Sequence, residues 1–391
     1  MDLFDKCDTG YVDKAIAAGL YPYFHTLQSR QDVEVIMEGK RRIMLGSNNY
    51  LGLTVHPRVV EAAKSALEKY GSGCSGSRFL NGTLDLHVCL EQELAEFTGK
   101  EDAVIFSTGF QSNLGIISAL ATRGDFIVCD RENHASIYDA CKLSYAKMLR
   151  YRHNDMIDLE KTLQGIPAEA GILIVTDGVF SMSGDICDLP SIVRLGKQYG
   201  ARIMVDDAHG LGVLGQGGRG TASHFCLTDE VDVIMGTFSK SLASLGGYMA
   251  TSRRVAQFVR HTSRPFIFSA SITPASAASA LEALRILKET PELPQRLARL
   301  SAYMRHGLKE RGVSIRESAT PIIPIYTYEQ EPTLLINKRL YDEGLYVNMV
   351  LPPATAPGEC LLRTSYMASH TEVLLDEAAD IIKKALVEHG L

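Results

Sequence analysis

Between Ala103 and Met235, short apolar runs alternate with stretches long enough to form helices. The runs are rich in β-branched residues, which favours buried strands, and each intervening stretch has the length of a crossover helix. This order predicts βαβ units, and therefore an α/β fold with a mostly parallel sheet covered on both faces. The predicted strands are Ala103–Phe106, Phe126–Cys129, Ile172–Thr176, Arg202–Val205 and Val231–Met235.

Outside this central stretch, the sequence predicts two smaller parts. A β-ribbon around Val33–Leu45 comes first, followed by the turn-rich segment Ser47–Leu53. From about Pro274, helical patterns alternate with three short strands, which indicates a small α+β domain. A chain of 391 residues is also longer than most single domains. The predicted division is an N-terminal segment 1–45, a large domain 46–273 and a small C-terminal domain 274–391.

Polar residues gather directly after the predicted strands. Ligands of such sheets bind at the carboxyl ends of the strands, so these residues are candidates for one shared site. Gly109 and Phe110 begin a helix after the first strand, where free backbone N–H groups favour an anion. His134 follows the second strand, and capping of the next helix is its alternative role. The loop after the third strand contributes hydroxyl groups, among them that of Ser181.

Asp206 comes directly after the fourth predicted strand, and His209 follows it three residues later. One interpretation is a metal site that also uses Asp207, although no further His or Cys partner lies nearby in the sequence. The other is a carboxylate that faces a pyridinium nitrogen, which explains the position of Asp206 equally well. The residues by themselves leave both interpretations open.

The fifth strand leads into Gly236–Ser241, which contains Lys240. A lysine at the mouth of a buried strand is expected where its amine is needed, because burial lowers the amine pKa and frees the lone pair for Schiff-base chemistry. Thr237 and Ser239 place two hydroxyl groups beside it, ready for a phosphate. The segment therefore indicates a lysine that binds pyridoxal phosphate (PLP), and the alternative is a solvated lysine in a Ser- and Gly-rich turn.

Two polar features lie outside the central sheet. Arg363 is the one charged residue of the predicted strand Cys360–Ser365. It fits bidentate capture of a carboxylate, and a structural ion pair is the alternative. Asn48 belongs to a pair of adjacent amides, for which turn stabilisation is the simplest role.

Charge and cysteine usage exclude several classes of protein. A net charge of −6 gives no basic face for nucleic acid. No run approaches 18 apolar residues, and Met1–Lys6 lacks the start of a signal peptide, so we expect no integral membrane segment. The eight cysteines include no C-x-x-C pair, which favours reduced thiols over disulfides or a zinc site. These features predict a cytoplasmic protein without a metal.

The order and spacing of six segments resemble the α-oxoamine synthase family of fold-type I PLP enzymes. The resemblance covers nearly all 391 residues. It implies a large PLP-binding domain built on a mostly parallel sheet, with a small C-terminal α+β domain. The segments are Asn48–Leu53, Ser107–Phe110, Asn133–Ser136, Asp177–Met182, Asp206–Gly210 and Thr237–Lys240.

The resemblance also implies a role for each candidate residue. Lys240 is expected to bind PLP covalently and to act as the base at the substrate Cα. Asp206 is expected to keep the pyridinium nitrogen protonated, and His134 to stack on the ring. His209 and Ser181 are expected to bond the phenolic oxygen. The residues implied for the phosphate are Gly109, Phe110, Thr237 and Ser239, and those implied for the substrate carboxylate are Asn48 and Arg363.

Members of this family join an amino acid to an acyl-CoA. The segments Gly73–His87 and Gly236–Ser244 look most like members that use L-serine and a long-chain acyl-CoA. The resemblance further implies a homodimer with shared active sites, in which Ser269–Ser271 is lent across the interface. Three alternatives remain at this point: a member that uses another amino acid, a PLP aminotransferase or lyase, and a catalytically silent partner subunit.

Overall fold

The computed structural model describes residues 2–352 and 354–391. The strands are β1 Glu34–Met37, β2 Lys40–Met44, β3 Asp102–Phe106, β4 Phe126–Asp130, β5 Lys147–Tyr151, β6 Ile172–Asp177, β7 Arg202–Asp206, β8 Val233–Thr237, β9 Gly247–Thr251, β10 Ile322–Tyr328, β11 Leu345–Tyr346, β12 Asn348–Val350 and β13 Cys360–Ser365. The α-helices are α1 Gly10–Ala17, α2 Pro57–Tyr70, α3 Asp85–Thr98, α4 Gly109–Leu120, α5 Ala135–Leu143, α6 Met156–Gln164, α7 Leu189–Gln198, α8 Thr221–His224, α9 Arg253–Thr262, α10 Arg264–Ile267, α11 Pro274–Glu289, α12 Glu292–Glu310, α13 Gln330–Asp342 and α14 Glu372–Glu388.

The central sheet has seven strands in the order β3-β9-β8-β7-β6-β4-β5. All neighbours are parallel except β9, which runs antiparallel to both β3 and β8. The α/β fold with a mostly parallel sheet is therefore confirmed, and all five predicted strands are present. The sequence did not reveal β5, whose partly exposed edge position tolerates polar residues, or β9, whose start at Gly247 reads as a turn.

Helices cover both faces of this sheet because the strands are apolar on both sides. Successive side chains of a strand point to opposite faces. Ile203 and Val205 of β7 accordingly pack in one core cluster, whereas Met204 packs in the other. This double burial explains why the strands read as continuous apolar runs rather than alternating ones.

The smaller part of the molecule joins the two ends of the chain. Strands β10, β13 and β12 form an antiparallel sheet, and β2 of the N-terminal ribbon pairs in parallel with β11. Ile43 lies in one core with Ile323 and Leu362. Helix α11 instead packs against α2 and α3 in the core of the large domain. The division at 45 and 273 stays a proposal, and this packing argues for grouping residues 34–45 with the small domain and α11 with the large one.

The cysteines and helices bear on the predictions drawn from composition. All eight cysteines are free thiols. The sulfur atoms of Cys129 and Cys141 lie 3.7 Å apart and do not form a disulfide. Over residues 2–352 and 354–391, no helix is both long and apolar enough to cross a membrane.

Candidate active site

The predicted site residues converge on one cavity of about 240 Å³ at the carboxyl ends of the central strands. A larger cavity of about 850 Å³ lies at the opposite, amino-terminal edge of the sheet and holds none of them. Arg363 and Asn48 do not line the smaller cavity. Arg363 bonds Ser181, which lines it, and Asn48 bonds Arg363. The predicted residues that line it are Gly109, Phe110, His134, Ser181, Asp206, His209, Thr237, Ser239 and Lys240.

Lys240 lines the cavity three residues after β8 ends at Thr237. Burial lowers the pKa of its amine to about 8. The Arg363 charge acts in the same direction, whereas the Asp206 carboxylate opposes the shift. An amine with this pKa is partly unprotonated near neutral pH, as Schiff-base chemistry requires. This environment differs from that of a solvated lysine in a turn.

Asp206 ends β7, and hydrogen bonds fix both of its oxygens. Oδ2 accepts from Asn113 Nδ2 at 2.7 Å, and Oδ1 accepts from the backbone N–H of Ala208 at 3.0 Å. Asp207 instead accepts two bonds from Thr221, at 2.7 and 2.6 Å. In the part of the chain that the structure describes, no group of three or more His, Cys, Asp and Glu is arranged to hold a metal ion. The geometry favours the pyridinium interpretation of Asp206 over the metal site.

The start of α4 meets the end of β8 at the polar end of the cavity. Thr108 caps α4 by accepting from the N–H of Gln111 at 3.0 Å, and the N–H groups of the first turn lack intrahelical partners. Thr237 Oγ1 lies 2.9 Å from Ser239 Oγ. A Cβ on Gly109 would lie 2.7 Å from Thr237 Oγ1, so this close approach needs glycine. The arrangement brings backbone N–H groups and two hydroxyls together, as an anion site requires.

His134 is the N-cap of α5, and its partly buried ring lines the cavity. Its Nδ1 lies 2.7 Å from Ser136 Oγ and accepts from the Ser136 backbone N–H at 3.3 Å. Burial of the ring, together with the Lys240 charge, lowers its pKa, so the imidazole is neutral near neutral pH. The capping role is therefore confirmed, and it leaves the ring free to pack against a planar ligand.

His209 and Ser181 add hydrogen-bonding groups to the same cavity. His209 is buried, and its Nδ1 lies 2.6 Å from Tyr50 Oη. Burial lowers the pKa of His209 well below its ordinary value, and the Lys240 and Arg363 charges act in the same direction. Its imidazole is therefore neutral. Ser181 belongs to the loop that joins β6 to α7.

Arg363 is a buried cation that bonds only neutral acceptors among the described residues. Its Nε donates to the Ser181 carbonyl at 2.5 Å, and its Nη2 donates to Asn48 Oδ1 at 2.9 Å. Its Nη1 donates to Ser365 Oγ at 3.2 Å. Burying a charge without a counter-ion is costly, so a carboxylate brought by a ligand fits this site better than the structural ion pair considered above.

The family model described as aminotransferase class I and II matches residues 40–382. That span includes every predicted site residue. The chain belongs to the aminotransferase class I and II family. This family depends on PLP, which is therefore the cofactor of this chain.

Within this family, the chain is similar over its whole length to α-oxoamine synthases. A serine palmitoyltransferase from Sphingobacterium spiritivorum is 51% identical over 381 residues, 96% of this chain and 96% of that protein. An 8-amino-7-oxononanoate synthase from Geobacter sulfurreducens is 45% identical over 375 residues, 95% and 96% of the two chains. A solved structure of serine palmitoyltransferase with PLP is 38% identical, with a TM-score of 0.97 over 100% of both chains. The resemblance stated from the sequence is confirmed.

The donor set of the cavity fits PLP, the cofactor of this family. PLP offers a phosphate, a ring nitrogen that is basic enough to protonate, and a phenolic oxygen. The start of α4 with Thr237 and Ser239 suits the phosphate, and the Asp206 carboxylate suits the protonated nitrogen. The Lys240 amine suits the aldehyde, because its pKa is lowered to about 8.

Three residues of this site were missed as functional candidates in the sequence. Asn113 donates to both Asp206 Oδ2 and Ser136 Oγ, the latter at 2.8 Å. Asp177 is buried beside Asp206 in the sheet register, accepts from the His134 backbone N–H at 3.0 Å, and has its pKa raised by burial. Tyr50 bonds His209. The available signal was weak: Asn113 and Asp177 are polar residues of apolar elements, and Tyr50 lies in a turn-rich segment.

Proposed function

We propose that this chain condenses L-serine with palmitoyl-CoA or a similar long-chain acyl-CoA. A bond forms between serine Cα and the thioester carbonyl carbon, and the CoA thiolate leaves with a proton. The serine carboxyl group leaves as carbon dioxide, a proton replaces it at Cα, and 3-oxosphinganine is released. The proposal rests on the near full-length similarity to serine palmitoyltransferase, supported by the Lys240 amine and Asp206 carboxylate in one cavity.

Bound PLP supplies an electron sink for the charge that develops at Cα. Asp206, fixed by Asn113 and Ala208, keeps the ring nitrogen protonated so that this sink is available. Lys240 removes the proton from serine Cα, because its amine is partly unprotonated near neutral pH. Loss of Asp206 would weaken the electron sink that stabilises negative charge at Cα. Loss of Lys240 would remove the base that generates this charge.

The other residues orient the reactants. Arg363 and Asn48 bind the serine carboxylate, and the buried position of Arg363 strengthens that bond by excluding water. His134 packs over the ring, while His209 and Ser181 donate toward the phenolic oxygen. The phosphate is held at the start of α4 by Gly109 and Phe110 N–H groups and by the hydroxyls of Thr237 and Ser239.

The assembly that we propose is a homodimer in the cytoplasm with shared active sites. Phe110, Leu245 and Phe268 are 44%, 55% and 75% exposed, and the first two line the cavity. The Ser269–Ser271 segment adjoins the same region, since Gln111, which follows Phe110, donates its side-chain N–H to Ser269 Oγ. A second copy over this surface removes apolar area from water. The eight free thiols agree with a reducing compartment.

The direct test is a matrix of amino acids against acyl-CoAs, with product mass and CoA thiol release as readouts. We expect fastest turnover with L-serine and acyl chains of about fourteen to eighteen carbons, since each buried CH₂ contributes about 0.8 kcal/mol before the ordering of the chain is counted. Faster turnover of glycine with acetyl-CoA, or of alanine with a pimeloyl thioester, would refute the proposed substrates. No CoA release with any pair would refute condensation itself.

A further inference from the structure

Tyr50 contacts three predicted site residues, although no role has yet been given to it. Its side chain is fully buried, with 0% exposure. Its Oη lies 2.6 Å from His209 Nδ1 and 3.5 Å from Arg363 Nη2. Asn48 Oδ1 lies 3.4 Å away. One phenol therefore joins the histidine that faces the cofactor to the two residues proposed for the substrate carboxylate.

The protonation states of Tyr50 and His209 determine the direction of the short bond. Burial raises the pKa of Tyr50 above its ordinary value, although the Arg363 charge acts in the opposite direction. The phenol therefore keeps its proton near neutral pH. His209 is neutral because burial lowers its pKa well below its ordinary value. The Nη2 of Arg363 approaches Oη as a donor, which leaves the phenol hydrogen for His209 Nδ1. The 2.6 Å separation favours that acceptor over Asn48 Oδ1 at 3.4 Å.

This bond selects one tautomer of His209. With Nδ1 as acceptor, the ring proton resides on Nε2. No other described residue forms a hydrogen bond with Nε2, and His209 lines the cavity. The opposite tautomer presents a lone pair to an oxygen anion and repels it.

We propose that Tyr50 is a positioning residue that fixes His209 as an Nε2–H donor toward the phenolic oxygen of the cofactor. Because the same Oη contacts Arg363, it also links this donor to the carboxylate site. The inference rests on the proposed function only through the use of PLP, and its tests measure PLP binding and the histidine tautomer rather than condensation.

Tyr50→Phe removes Oη and keeps the ring that packs in the core. We expect the PLP dissociation constant to increase about tenfold, because His209 loses its preference for the tautomer that donates to the anionic phenolic oxygen. The pH at which the visible PLP band titrates should shift by about one unit. Tyr366→Phe is the matched control, because Tyr366 is also fully buried and its Oη bonds Thr364 Oγ1 at 2.8 Å, outside the cavity. Tyr366→Phe should lose about as much thermal stability as Tyr50→Phe does, and it should keep the PLP affinity and visible band of the wild type.

Two further measurements separate a positioning role from a structural one. In a His209→Phe background, Tyr50→Phe should cause no additional change in PLP affinity, because it acts through His209. In wild-type protein labelled with ¹⁵N-histidine, the signal assigned by its loss in His209→Gln should show a protonated Nε2 and a bare Nδ1. This last measurement needs neither PLP nor a folded Tyr50 variant.

The proposal is overturned by an Nδ1–H tautomer in the wild type. It is equally overturned by a folded Tyr50→Phe protein whose PLP affinity and visible band match those of Tyr366→Phe. Failure of every substrate pair in the condensation assay would count against the proposed function and would leave both readouts interpretable.

Discussion

At the scale of single residues, Arg363 is a buried cation whose hydrogen-bond partners among the described residues are all neutral. The residue is 4% exposed, and its guanidinium donates to four neutral oxygens, those of Ser181, Ser365, Asn48 and Tyr50. A charge-assisted bond to a carboxylate contributes about 1.5–3 kcal/mol, which is roughly ten- to a hundredfold in affinity. We therefore expect Arg363 to contribute to the affinity for the amino acid substrate and not to the affinity for PLP.

Arg363→Lys should weaken L-serine binding by that factor, because an ammonium group cannot reproduce the planar pair of donors. Spectral titration of the PLP band measures the serine dissociation constant, and PLP affinity should stay unchanged. Arg305→Lys is the control, since Arg305 is also partly buried but donates to the Thr320 carbonyl away from the cavity. Unchanged serine binding would show that Arg363 has a structural role.

Lys240→Ala should abolish turnover and remove the covalent PLP band, since the variant lacks both the Schiff-base amine and the base at Cα. Borohydride reduction of the wild type followed by peptide mapping should place the cofactor on the peptide containing Lys240. Lys288→Ala, which changes a lysine paired with Glu93 and Glu96, is the control and should behave as wild type. Cofactor fixed to another lysine would contradict the assignment.

At the scale of elements, the contact between α4 and β8 depends on the absence of a side chain at Gly109. Gly109→Ala should weaken PLP binding by at least tenfold, because the added Cβ displaces Thr237, which it would approach to 2.7 Å. Gly165→Ala is the matched control, since its Cβ meets only the Thr162 carbonyl at 3.5 Å. Fluorescence titration with PLP compares the two variants. Equal PLP affinities of the two variants would show that the phosphate is not bound at the start of α4.

The loop that carries Ser181 is held by an ionic cluster around His153. His153 Nδ1 lies 3.0 Å from Asp130 Oδ1, and its Nε2 lies 3.1 Å from Asp185 Oδ2. Arg316 of the small domain also donates to Asp185 Oδ2, at 2.6 Å, and Glu132 lies 3.7 Å from the ring. Although burial disfavours the charged ring, the bonds to Asp130 and Asp185 raise the pKa of His153 to about 9.

A raised folded-state pKa stabilises the protein fully below pH 6.5, and this stabilisation is lost as pH rises through about 9. Allowing for the partial exposure of the ring, we expect about 2 kcal/mol of unfolding free energy to be lost over that window. Urea denaturation at pH 6 and pH 9.5 measures it, with His153→Gln as the comparison. The difference in stability between wild type and His153→Gln should shrink toward high pH, and a constant difference would contradict the argument.

The elements also show what sequence patterns can reveal. The βαβ order and the polar strand ends predicted the sheet and brought Lys240, Asp206 and His209 to one cavity, because parallel strands end at the same edge. The antiparallel β9 was not predicted, because its start at Gly247 resembles a turn. The hydrogen bond of Tyr50 to His209 was missed because it joins residues far apart in the chain. Long-range partners leave no local periodicity to read.

At the scale of the whole molecule, the exposed apolar side chains near the cavity predict a dimer. Phe268→Asp should shift the mass in light scattering toward the monomer and lower turnover, because it places a charge in the proposed interface. Ile157→Asp is the control: Ile157 is 81% exposed on α6 and should tolerate the charge. A Phe268→Asp protein that remains dimeric would place the interface elsewhere, and a fully active wild-type monomer would refute shared sites.

The pairing of β2 with β11 has a consequence for synthesis on the ribosome. Met44 leaves the exit tunnel about 300 residues before Tyr346, its partner in the ladder. At about 5–20 residues per second, the edge of β2 waits roughly 15–60 seconds with unpaired N–H and C=O groups. During that interval the nascent chain exposes an edge that can pair with another chain. Chaperone supply and translation speed should therefore influence the yield of this protein more than that of one whose terminal segments pair locally.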